Sequence, residues 1–96
     1  MVQRRSPKRD RQLAAIGANI TRWRKLQGMS ASALAERSYV TRATLRGIEQ
    51  GSGTASFHAV LAVLNTLGVA DRVVSATDPL NSPAGRALID DQIAGR

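Results

Sequence analysis

Residues 30–51, SASALAERSYVTRATLRGIEQG, confine this chain more tightly than any other stretch. Ser30 supplies a hydroxyl that caps a helix, and Leu34 and Ala35 give that helix one apolar face. Ser38–Tyr39–Val40 interrupts the pattern. Thr41 caps a second helix whose apolar face carries Leu45 and Ile48, and Gly51 lies just past its end. Two short helices, each opened by a hydroxyl and separated by a tight break, predict an αα-corner.

The chain has 96 residues, enough for one small domain with one modest core. Its apolar content is 43%, but Trp23, Tyr39 and Phe57 are its only aromatics, so the core must be aliphatic. There is no cysteine, which excludes disulfides and thiolate metal sites and suits a reducing cytoplasm. No apolar run is long enough to cross a bilayer, and the basic N-terminus is not followed by a signal-peptide core. A cytoplasmic chain with no membrane contact is expected.

The formal net charge is +7, and it is unevenly placed. Residues 1–25 hold eight of the fourteen basic residues against Asp10 alone, so the whole excess sits there. A balance this basic points to an anionic partner, of which nucleic acid is the commonest.

Along the chain, residues 1–9 (MVQRRSPKR) are polar, charged and interrupted by Pro7, which predicts a flexible basic arm. From Asp10 to Gln27 the apolar residues Leu13, Ile16, Ile20, Trp23 and Leu26 recur at steps of three and four, and Gly28 follows. This is an amphipathic helix. After the αα-corner, residues 51–55 are a loop by composition. Ser56 opens a helix striped by Phe57, Val60, Leu61, Leu64 and Leu67, and Gly68 closes it. Residues 69–76 predict a short helix. Asp78–Asn81 is a turn, and Ser82–Pro83 is a cap followed by proline at the first helical position of a last short helix over 84–93. The expected organisation is arm 1–9, all-α domain 10–76 and tail 77–96.

Five helices with the second and third forming a helix-turn-helix resemble the Xre family of bacterial and phage regulators, which shares its fold with the lambda repressor and Cro. The resemblance covers about residues 12–76. It rests on Arg24-x-x-x-Gly28-Met29-Ser30, Leu34-Ala35-Glu36-Arg37, Val40-Thr41-Arg42-x-Thr44-Leu45, Ile48-Glu49-x-Gly51 and Leu64-x-x-Leu67-Gly68-Val69. The tail, Asp78-Pro79-Leu80 and then Ser82-Pro83-x-Gly85-Arg86-Ala87-Leu88, is similar to that of HipB-like members. Those are antitoxins or repressors encoded beside HipA-like serine/threonine kinase toxins. Three positions depart from the family pattern. Ala31 stands where Gln holds a phosphate, Tyr39 where the inter-helix turn carries Gly, and Gly47 where a long polar side chain is common.

Arg42 and Arg46, spaced i, i+4, share the face opposite Leu45 and Ile48, where arginine favours guanine O6 and N7. Ala43 joins them in the expected base-facing set. The phosphate-contact candidates are Ser30, Thr41, Thr44, Gln50 and Arg24. The resemblance implies that Arg24 and Glu49 form an ion pair that orients the recognition helix. Arg4, Arg5, Lys8 and Arg9 form an arm suited to an adjacent minor groove. Dimerisation is expected through Val69, Val73, Val74 and Leu80, with Leu88 and Ile89 nearby.

Catalysis finds no support. There is no glycine-rich phosphate loop, no Ser/His/Asp arrangement and no metal-ligand spacing; His58 is the only histidine. No cofactor is expected. The reading is a repressor that binds a palindromic DNA operator as a homodimer, with a HipA-like kinase as a further partner. A stand-alone phage-like or restriction-modification regulator is the alternative.

Overall fold

A computed structural model describes residues 6–95. Its first helix, α1, is Pro7–Leu26. The corner follows as α2, Ala31–Arg37, and α3, Arg42–Gln50. Then come α4, Phe57–Leu67, and α5, Ala70–Thr77. A single 3-10 turn, Pro79–Asn81, leads into α6, Pro83–Ile93. The described residues therefore form six α-helices and no strand, the sixth lying in the tail where a last short helix over 84–93 is expected.

Capping chemistry explains most boundaries. Ser30, Thr41, Ser56 and Ser82 each accept a hydrogen bond from the backbone N–H three residues on. Gly51 (φ 75°) and Gly68 (φ 80°) close α3 and α4 in the left-handed region.

The start of α1 corrects the expected arm. Ser6 Oγ accepts from the Arg9 N–H at 3.3 Å, and Pro7 occupies the first helical position. Pro7 thus opens the helix with its preset φ and does not interrupt it. Lys8 and Arg9 are exposed residues of the first helical turn and not part of an arm. Arg4 and Arg5 lie outside the described residues.

The core is aliphatic. Ile20, Leu34, Leu45 and Val63 are fully buried at the junction of α1, α2, α3 and α4, with Met29, Ile48, Leu64, Leu67 and Val69 around them. Helices α1 and α3 share the most extensive contact. Gly17 makes it possible: a Cβ there would lie 2.5 Å from the carbonyl oxygens of both Ile48 and Glu49. The expected stripe of α1 is only partly covered. Ile20 is buried and Trp23 is half-buried, but Leu13, Ile16 and Leu26 stay exposed. Phe57 of α4 is also exposed. Among the described residues, no single helix is long and apolar enough to cross a membrane.

Candidate nucleic-acid interface

The αα-corner presents one face of α3. Leu45 and Ile48 point into the core, and Arg42, Ala43, Arg46 and Gln50 are exposed. Arg42, Arg46 and Gln50 follow one another at steps of four, so they form a row along the helix. Beside that row lies a shallow cleft lined by Ala31, Arg42, Leu45, Arg46, Glu49 and Gln50. It runs between the start of α2 and the outer side of α3.

Two helix N-termini open at this face. Ser30 Oγ accepts from the Ala33 N–H at 3.0 Å, and Thr41 Oγ1 accepts from the Thr44 N–H at 3.0 Å. Thr41 also donates to Thr44 Oγ1 at 2.9 Å, so the two threonines form one exposed hydroxyl pair. The first N–H groups of α2 and α3 have no partner within their helices, and with the helix dipole they favour an anion nearby. Ala31 brings no side-chain donor to the start of α2, which leaves the backbone N–H groups there.

Arg42 donates from Nη1 to Ser32 Oγ of α2. Sequence reasoning missed Ser32, because nothing in its spacing marks it as a neighbour of α3. The contact ties the first side chain of the basic row to the preceding helix and fixes where the guanidinium begins its reach.

Arg24 and Glu49 form a two-pronged pair. Arg24 Nε donates to Glu49 Oε2 at 2.8 Å and Nη2 donates to Oε1 at 3.0 Å. Arg24 Nη1 donates to the Met29 carbonyl at 3.1 Å, so one guanidinium joins α1, α3 and the segment entering α2. Both side chains are 13% exposed. A planar fork matched to a carboxylate in this way resists rotation as well as separation. This shielding leaves Arg24 little surface for a phosphate, and its observed work is bracing α3. Glu49 carries competing influences. Burial pushes its pKa up, but the hydrogen bonds from Arg24 and Thr21 and the charges of Arg24 and Lys25 together hold it below the ordinary carboxylate value.

The turn between α2 and α3 is anchored from below. Ser38, buried, shares a hydrogen bond of 2.8 Å with Thr66 of α4. Tyr39 follows with φ 58°, the only non-glycine residue with positive φ among the described ones, and its side chain is 96% exposed. The left-handed backbone that the turn requires is thus adopted by a side chain that finds no packing to offset its strain, on the order of 1 kcal/mol.

The residues expected at a dimer contact are dispersed. Val69 is buried in the chain's own core and is not available to another molecule; the sequence could not tell an inward from an outward valine at a helix start. Val73 is partly buried, and Val74 and Leu80 are exposed.

Compared with known proteins, residues 20–72, more than half of the chain, match the family model described as Helix-turn-helix. The searches of curated proteins and of solved structures return no match.

Proposed function

The chain belongs to the Xre-like helix-turn-helix family of DNA-binding transcription regulators, and on that premise we propose that it is a repressor that binds a palindromic operator as a homodimer. The observation that carries this reading is the exposed row of Arg42, Arg46 and Gln50 on a braced α3. Lying in the major groove, Arg42 and Arg46 would address guanine O6 and N7. Ser30, Thr41, Thr44 and the N-termini of α2 and α3 would meet phosphates on either side. One recognition helix reads only a few base pairs, so two copies are needed for useful discrimination. Repression then follows from occupying the operator. The protein acts in the cytoplasm in this reading.

A HipB-like antitoxin role is a second reading. The tail residues Asp78-Pro79-Leu80 and Ser82-Pro83-x-Gly85-Arg86-Ala87-Leu88 favour it. A HipA-like kinase encoded beside the gene and captured by the purified protein would decide for it. A lysogeny or restriction-modification neighbourhood would decide for a stand-alone regulator.

Selection of bound duplexes from a random pool tests the main proposal. The expected product is an inverted repeat with half-sites about one helical turn, or roughly 34 Å, apart. Failure to enrich any sequence, or enrichment of a single unrepeated element, would overturn the homodimeric operator reading.

A further inference from the structure

Arg42 and Arg46 are both exposed on α3, but their surroundings differ. Arg46 makes no hydrogen bond or ion pair with any described residue. Arg42 donates from Nη1 to Ser32 Oγ, in the first turn of α2. The two ends of this bond sit on braced elements. Leu34 of α2 and Leu45 of α3 are fully buried in one core. Ser38 fastens the turn between the helices to Thr66 at 2.8 Å, and Arg24 grips Glu49 near the end of α3 at 2.8 and 3.0 Å. Other contacts thus fix how α2 and α3 lie, and the bond acts on the one part left free, the Arg42 side chain.

A guanidinium carries five N–H donors in a rigid plane. Ser32 takes one of them on Nη1, and no described residue takes one on Nε or Nη2 of Arg42. Nε and Nη2 share an edge of the plane and present two parallel N–H bonds, a pattern that guanine O6 and N7 accept. Ser32 therefore engages the group outside that edge and leaves the edge free.

We propose that Ser32 is a positioning residue for base recognition. By holding Nη1 it orients the Arg42 guanidinium so that the Nε–Nη2 edge reads one guanine in each half-site, while Arg46 reads unassisted. The proposal rests on the operator reading above and deepens it. Both side chains are exposed in the free protein, so water competes for the bond and its contribution to folding is slight. In a closed groove that competition falls away, and a side chain already ordered loses less freedom on binding. The benefit belongs to discrimination and not to stability.

Fluorescence anisotropy on the selected duplex, and on duplexes that change one guanine at a time, tests this. The proteins are wild type, Ser32→Ala, Ser32→Thr, Arg42→Ala, Arg46→Ala and the double variant S32A/R42A. Ser32→Ala should lower the preference for guanine roughly three- to tenfold at the position that Arg42→Ala also relaxes. It should leave the position relaxed by Arg46→Ala, the affinity for scrambled DNA and the melting temperature unchanged. Ser32→Thr keeps the hydroxyl and should keep the preference. The double variant should match Arg42→Ala alone, because without the guanidinium Ser32 has nothing to orient. An alanine variant that keeps the full preference or loosens every position alike, a threonine variant no better than alanine, or a double variant weaker than Arg42→Ala would overturn the positioning role and leave the operator reading standing. A wild type that selects no sequence would overturn both.

Discussion

Glu49 links the stability of the fold to the geometry of the interface. Its carboxylate accepts both prongs of Arg24 while its side chain lines the cleft beside Arg46. Because its pKa in the folded chain lies below the ordinary value of 4.5, the ionised form contributes stability that is fully present above that pH. The contribution is lost as pH falls through the lower folded value. Glu49→Gln should therefore cost on the order of 1–3 kcal/mol in urea unfolding at pH 7, since Arg24 keeps a partly buried charge without its counterion. The gap between wild type and variant should narrow as pH is lowered below 4.5. A gap that stays constant across this range would show that the carboxylate charge is not what Arg24 holds. Tyr39 is the opposite kind of residue. Its place in the turn and its departure from glycine were legible in the sequence, and its φ of 58° shows what the departure imposes on the backbone.

At the scale of elements, α1 and α3 come into close backbone contact at Gly17, which has no side chain. Gly17 faces the Ile48 and Glu49 carbonyls, and a Cβ on Gly51 would lie 2.7 Å from the backbone of Ala14. Gly17→Ala should push the helices apart and cost about 1–3 kcal/mol, despite alanine's better helix propensity. Thermal unfolding measures this directly; an unchanged or raised melting temperature would mean that the close approach does not exist. Local chemistry was the legible part of these elements. The caps Ser30, Thr41, Ser56 and Ser82 and the stops Gly51 and Gly68 act over three or four residues, so a reader of the chain can see both partners. Ser6–Pro7 carries the same signature as Ser82–Pro83, but it lies among basic residues that read as a solvated arm, so the sequence predicts a start at Asp10 where α1 begins at Pro7. Periodicity located the apolar faces of α1 and α4 without revealing what covers them. Leu13, Ile16 and Phe57 looked like core and are surface. Contacts distant in sequence, such as Arg42 with Ser32 and Ser38 with Thr66, left no local trace.

The whole molecule is extended for its size. Its extents are 53 × 35 × 19 Å and its radius of gyration is 16.7 Å, against about 12–13 Å for a compact domain of this length. Helix α6, joined to the rest through the 3-10 turn, and the long α1 account for this shape. Charge is organised on the same scale: the excess of +7 lies within residues 1–25, and the acidic pair Asp90–Asp91 lies at the other end of the chain. In the proposed reading such a molecule attracts nucleic acid without regard to sequence through its basic N-terminal quarter and discriminates through α3. The most direct test separates these two contributions. Fluorescence anisotropy would follow wild type and the Arg42→Ala, Arg46→Ala double variant binding to a selected duplex and to a scrambled one over a series of salt concentrations. On the selected duplex the variant should lose roughly 2–6 kcal/mol, and on the scrambled duplex little, while wild-type affinity for both falls steeply with salt. Equal losses on the two duplexes would show that α3 does not read sequence and would contradict the account.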